Sequence, residues 1–393
     1  MVDIVPIVLP TMGSGIPLWV LRAGGAVAAV DLNFATGQYY GGSLPSLLTN
    51  TNSTGGYVTN ANGSLTLIPP NTLRIGTGLL VEQGSTNLLL QSQALATSPW
   101  GNGGITGTTV TNNAATAPDG TATATSLTPT LQFGGVEQSI TTGISAATAY
   151  TVSGYVKNLS GNAISLNFQD TISGTPQGNN LLSIPFASNW TRFSLTHTTV
   201  ASTNGINIIL QDRNTSGFGT FLLWGIQVEQ LAFPTSYIVT TAATAARSAD
   251  NVATASALSA VLAASAGSTF MSWSVLPAVP SGGVILLQDG SSRQFASIAN
   301  GFPQNVNMWN GAVSLGASFP SGNSTTVPFK TASAWSAAGR SVVVNNGTVA
   351  HDTNVMPAGS GNSIVGSTGS ANFVNSVLAR LSVFTSAVLA PTQ

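Results

Sequence analysis

Cysteine is absent, histidine occurs twice, and charge is scarce: 10 Lys or Arg and 11 Asp or Glu in 393 residues, 5% of the chain. An ordinary soluble domain is about a quarter charged, so each shortage excludes a class of function. Without cysteine there is no disulfide framework and no thiolate metal site, which suits synthesis in a reducing cytoplasm. A net charge of −1 with no cluster of Lys or Arg removes the attraction that drives nucleic-acid binding. The most apolar stretch, residues 16–30, is broken by Arg22 and Gly24-Gly25 and falls short of the roughly 20 apolar residues of a membrane span. Asp3, Pro6 and Pro10 stand where a signal peptide would carry a basic segment and an apolar helix. Neither membrane insertion nor Sec-type secretion is expected.

The same shortage bears on catalysis. Glycoside hydrolysis needs two carboxylates roughly 5 to 9.5 Å apart, and most acids here have a structural explanation. Asp119 and Asp289 precede glycines in turns, Glu82 and Glu229 end apolar strands, and Asp250 follows Arg247 closely. Asp170 and Asp212 follow strands, and no spacing brings them together. His197 and His351 lie in alternating strand patterns, and there is no Gly-x-Ser-x-Gly elbow. The chain is expected not to be an enzyme and to hold no cofactor. With no Cys, His pair or EF-hand loop, no metal site is indicated either, although backbone carbonyls and one Asp can hold a structural calcium without a sequence signature.

What is present is material for cores: 43% hydrophobic residues, with 15 Phe, 7 Trp and 6 Tyr spread along the chain. Period-two alternation between turn dipeptides predicts an all-β fold. Asp289-Gly290, Asn310-Gly311 and Asn346-Gly347 each separate two alternating runs, as two-residue hairpin turns do. In the central region strands are expected at 135–140, 148–157, 163–169, 190–196, 206–212 and 220–229, a spacing that suits a two-sheet sandwich. The resulting division is an irregular N-terminal arm at 1–75, a β-sandwich at 76–240, a linker at 241–267 with a helical turn around Leu258, Val261 and Leu262, and a second β-sandwich at 268–393. Within the arm, Asp31-Leu32-Asn33-Phe34 with Gly37 reads as a small β element.

Four phrases, in order, resemble the modular tail-fibre, head-spike and receptor-binding proteins of bacteriophage particles. They are Gly78-Leu79-Leu80-Val81-Glu82 leading to Thr86-Asn87-Leu88-Leu89 and Ser98-Pro99-Trp100; Ala117-Pro118-Asp119-Gly120; Tyr150-Thr151-Val152-Ser153-Gly154-Tyr155; and Trp224-Gly225-Ile226-Gln227-Val228-Glu229, followed by Pro234-Thr235-Ser236-Tyr237 and Ala246-Arg247-Ser248-Ala249-Asp250. The resemblance covers roughly residues 75–250 and implies a jelly roll of the carbohydrate-binding-module type. The stretch from Phe329 to Gly347 is similar, more loosely, to concanavalin A-like or laminin-G-like sandwiches. Two departures accompany it. Ser85 stands where family members often carry a basic residue, and little chain follows residues 378–384 to form a distal tip.

The resemblance implies a virion-surface fibre or spike, made in the host cytoplasm, homotrimeric, attached to other virion proteins through residues 1–75 and meeting host cell-surface polysaccharide. A decoration protein without a ligand and a depolymerase are the alternatives. Glu82, Asp119, Glu229, Arg247 and Asp250 fall inside the shared phrases and read as structural pins. Neutral glycans need no charge, only aromatic faces and hydroxyl, amide and backbone hydrogen bonds. Trp100, Trp190 and Trp224 lie in strand patterns and read as core. Trp309, beside a turn, and Phe302, in a loop, are the candidates for glycan contact, with subunit packing the competing role for both.

Overall fold

In a computed structural model of the chain, residues 22–23, 26–101, 107–275, 284–289, 293–298, 305–320, 328–357, 359, 363–367 and 373–386 are described. The fold is all-β: the described strand pairs are antiparallel, and two short helices, Leu44–Leu47 and Ser256–Leu262, accompany them. The chain forms two compact units. A central unit comprises Gly55–Ile68 and Gly84–Ser248; a terminal unit comprises Met1–Thr54, Pro69–Gln83 and Ala249–Gln393.

The central unit is a β-sandwich of jelly-roll kind. One sheet has the strand order Thr108–Ala115, Ala124–Pro129, Phe221–Glu229, Ala149–Asn158, Thr191–Thr198; the other runs Gly135–Ile140, Gly205–Gln211, Ile164–Ile172, Thr175–Ile184. Alternation builds the core between them. Ile164, Leu166 and Phe168 from one strand and Ile206, Ile208 and Leu210 from its neighbour meet Val152, Val156, Leu223 and Val228 of the facing sheet. The strands expected at 135–140 and 220–229 recur within a residue, whereas Thr175–Ile184 gave no sequence signal. Its Pro176, Gly178 and paired asparagines break any apolar alternation, and pairing with Ile164–Ile172 alone holds it as an edge strand.

Phe221–Glu229 is buried on both faces because a hairpin, Gly56–Thr59 with Leu65–Ile68, brings Tyr57 to its outer side. Trp224 there has its ring centroid 6.1 Å from Tyr57, 5.7 Å from Tyr155 and 4.4 Å from Tyr237. The next residue must be glycine. Gly225 has φ +65° at a register shift opposite Ser153–Tyr155, and a Cβ on it would lie 3.3 Å from the Tyr237 ring. Trp100, as expected, is also core and donates its indole N–H to Leu90 at 3.0 Å.

The terminal unit is a second sandwich. Its seven-stranded sheet runs Ser314–Ser318, Asn305–Trp309, Gln294–Ile298, Val284–Gln288, Ile364–Val365, Asn251–Thr254, Leu48–Thr51. The other runs Ala350–Asp352, Gly339–Val344, Phe329–Ser336, Gly267–Trp273, Ser376–Phe384, Val30–Asn33, Gln38–Tyr40, with Leu79–Val81 also paired to Ser376–Phe384. The linear division into arm, linker and second sandwich differs from this arrangement. The small β element around Asp31 is present, but Val30–Asn33 pairs with Ser376–Phe384, and Leu48–Thr51 pairs with Asn251–Thr254 from the stretch read as linker. Four-residue strands rich in Asn and Thr carry too little apolar period to show their partners, which long-range pairing supplies. The helical turn does form, burying Leu258 and Leu262 one turn apart.

The three hairpin dipeptides mark real hairpins with longer connections than two residues. Trp309 pairs with Ser314, not Ala312, because the Asn310 side chain accepts from the N–H groups of Ala312 and Val313 and holds residues 310–313 as the turn. Val342 pairs with Ala350 around Asn345 at φ +50°, leaving residues 345–349 to connect the strands. Val284–Gln288 pairs with Gln294–Ile298, while Gly290 lies outside the described residues.

Candidate functional site

Many of the scarce charges are spent inside. In the terminal unit every described acid pairs with an arginine: Asp31 with Arg380, Glu82 and Asp250 with Arg74, Asp289 with Arg293, Asp352 with Arg340. Arg74 and Asp250 are fully buried, and Asp250 also accepts from Asn50 at 3.2 Å, Asn52 at 2.9 Å and the Glu82 N–H at 3.0 Å. Burial alone would lower the Arg74 pKa, but Glu82 and Asp250 outweigh it and raise it. Asp250 thus bonds Arg74, whereas its sequence neighbour Arg247 donates to the Ser248 carbonyl at 3.0 Å.

In the central unit, Asp119 caps its own turn through Thr121 and accepts from the Tyr57 hydroxyl at 3.2 Å; burial, then Asp119, pushes the Tyr57 pKa up to about 12. Glu229 is fully buried and accepts from Thr235, Gln227 and Ser85. Burial raises its pKa despite these bonds. Asp170 bonds His197 at 2.8 Å and Thr203 at 2.6 Å; Asp212 bonds Asn214. Asp170 lies opposite Ile206 while Asp212 follows Gln211 on that same strand, so about 20 Å of strand separates them. The structure does not bring this pair together.

One surface carries polar groups in register. The sequences Ile164-Ser165-Leu166-Asn167-Phe168-Gln169 and Ile206-Asn207-Ile208-Ile209-Leu210-Gln211 turn their large apolar members except Ile209 into the core and their amides to the other side. Pairing aligns Glu137, Ile209, Asn167 and Leu181 in one row across the four-stranded sheet, and Ser139, Asn207 and Gln169 in the next. The floor is closed: Asn167 and Asn207 are each 2% exposed and Gln211 4%. Asn207 is fully engaged, donating to Glu137 at 3.1 Å and Gln169 at 3.3 Å and accepting from Ser139 at 2.9 Å. Asn167 is not. Its Nδ2 donates to Asn179 at 2.8 Å, but its buried Oδ1 has no partner.

The face is about 14 Å across and about 14 Å along the strands. Beyond the Gly135–Gln211 end stands Phe133, exposed, with φ +67° and the Arg213 guanidinium 4.9 Å above its ring. Chemically the face offers amide and hydroxyl hydrogen bonds, two unpartnered buried oxygens (Asn167 Oδ1 and Thr171 Oγ1), one carboxylate and, on its strands, no cation. An orphan acceptor costs roughly 1–3 kcal/mol unless a ligand or water supplies a donor.

Of the residues singled out from sequence, Trp309 is half-buried on the terminal unit's seven-stranded sheet, and Phe302 lies outside the described residues. Asn167, Asn207 and Gln211 were missed. Their alternation was visible, but only register shows that the polar positions share rows.

No protein-family model matches the sequence, and no curated protein matches it. Solved structures do. The enzymatically active domain of tailspike protein 4 from bacteriophage CBA120 is 14% identical over 36% of this chain and 21% of its own length, with a TM-score of 0.30. The CBM22-1 xylan-binding domain of Paenibacillus barcinonensis Xyn10C is 16% identical over 39% of this chain and 99% of its own, TM-score 0.31. The tandem CBM22-1–CBM22-2 domains of that protein are 11% identical over 77% of this chain and 97% of theirs, TM-score 0.31. This chain therefore spans about a fifth of the tailspike domain.

Proposed function

We propose that the chain is a non-catalytic fibre or spike protein on the surface of a phage or phage-like particle, presenting its sandwich units to host-surface polysaccharide. The observation that carries the binding part is the amide-floored face with the unpartnered Asn167 Oδ1, which asks for a hydroxyl or amide donor. A polyhydroxylated neutral chain supplies such donors, and its apolar ring faces suit Phe133 at the end of the sheet. The particle part is supported by the shared phrases between residues 75 and 250. Attachment belongs to residues 1–75, synthesis to the host cytoplasm, and a homotrimer is the expected projecting form.

An array of host glycans tests the reading. Saturable binding with a component that falls at least tenfold in Asn167→Ala, with the fold retained, supports it; absence of binding at high protein concentration favours a decoration protein, and clearing of a polysaccharide layer favours an enzyme. Attachment is tested by deleting residues 1–21 alone, because removing Val30–Asn33 would strip a strand from the terminal unit's sheet. Continued incorporation into particles would take residues 1–21 out of the attachment role.

A further inference from the structure

The terminal unit carries a second uncharged face, built from different residues. At one edge of the seven-stranded sheet the strands Gln294–Ile298, Asn305–Trp309 and Ser314–Ser318 contain no charged side chain. Val306 and Met308 are fully buried in the core, so Asn305, Asn307 and Trp309 face outward, each half-buried and about 7 Å from the next. Among the described residues none of these three side chains has a hydrogen-bond partner, and the Asn305 Oδ1 is buried.

Gly316 sits opposite Asn307 on the edge strand. A Cβ there would come 2.5 Å from Asn307 Oδ1, with Asn305 Nδ2 at 3.7 Å, so both amides lean across the glycine. With Ser314 and Ser318 beside it, the edge strand forms a low border rather than a wall.

We propose that this strip is a second saccharide site, taking a linear neutral oligosaccharide along Asn305, Asn307 and Trp309. The indole face receives the apolar face of one pyranose ring, and the two amides and the indole N–H exchange hydrogen bonds with hydroxyls of the next rings. The strip is about 14 Å long, enough for a few residues of a glycan but without cations for an anionic one. A second copy of the chain fits less well, because the centre of a subunit interface is apolar and its polar groups are paired. The site goes beyond the amide-floored face of the central unit and does not depend on it.

The test uses the full chain labelled with 5-fluorotryptophan, with Trp309→Phe assigning the Trp309 fluorine resonance. Cellohexaose, maltohexaose, laminarihexaose and host polysaccharide serve as neutral probes and an oligogalacturonate as the anionic one. A saturable shift of the Trp309 resonance with at least one neutral probe and none with the anionic one is expected. Asn307→Ala should weaken it about fivefold, the worth of one hydrogen bond, and Gly316→Val should abolish it at unchanged melting temperature. The response should persist in Asn167→Ala, which separates this site from the face of the central unit. No shift with any neutral probe at millimolar concentration overturns the proposal. So does a Trp309→Ala variant that dissociates an oligomer, since that would make the strip a subunit interface.

Discussion

Arg380 and Asp31, 349 positions apart, form a two-point ion pair: Nε donates to Oδ1 at 2.8 Å and Nη2 to Oδ2, while Ser382 donates to the same Oδ1 at 2.8 Å. The pair ties the strand Val30–Asn33 to the strand Ser376–Phe384. Asp31 is fully buried, so removing its cation leaves an uncompensated charge.

Arg380→Ala should therefore destabilise the terminal unit by about 3 kcal/mol. The Asp31→Leu/Arg380→Leu double variant should recover most of that loss. Calorimetric unfolding of the three proteins checks this, and a double variant as unstable as the single one would show that packing rather than charge is at stake.

Gly225→Ala should cost about 1–2 kcal/mol, since φ +65° is the left-handed region and the added methyl presses on Tyr237. Near-ultraviolet circular dichroism, which reads the Trp224–Tyr237 cluster, should change with it. An unaltered spectrum and midpoint would mean that the bulge relaxes freely.

Two carboxyls should give the units opposite responses to pH. Burial raises the Glu229 pKa above the ordinary 4.5, so its folded form holds the proton more tightly. Its contribution to central-unit stability is full below about 4.5 and is lost as pH rises through the raised value. Asp352 is the reverse. Partial burial pushes its pKa up, but hydrogen bonds from Arg340 and Asn354 outweigh it and bring it below 3.8. Its contribution to the terminal unit is present above about 3.8 and lost as pH falls through the lowered value. Unfolding midpoints of Glu229→Gln and Asp352→Asn across pH 3–7 should each lose the corresponding slope.

Asn167→Ala removes a buried orphan acceptor together with one good hydrogen bond, so its stability should change by less than about 1 kcal/mol while glycan binding at the face of the central unit is lost. Binding titrations alongside thermal melts test the separation. A variant that unfolds would assign Asn167 to the scaffold instead.

Much of the fold was legible where alternation is strong. Gly135–Ile140, Phe221–Glu229 and Val284–Gln288 could be read almost residue for residue, because each carries β-branched and large apolar groups in a short run bounded by turn residues. Thr175–Ile184 and Leu48–Thr51 could not, since neighbours rather than their own side chains hold them extended. The candidate face shows the same limit. Asn167 and Asn207 are 40 residues apart in a chain full of asparagine, and only the pairing of their strands makes them part of one floor.

The placement of Ser376–Phe384 between Gly267–Trp273 and Val30–Asn33 sets a timetable for synthesis. At about 5–20 residues per second a ribosome needs roughly 20–70 s to travel from Asp31 to Arg380. For that interval Val30–Asn33 and Leu79–Val81 have been made but their shared partner has not. Strands only three or four residues long, one of them carrying an aspartate, are poor templates for pairing with other nascent chains. Their brevity protects the chain while it waits.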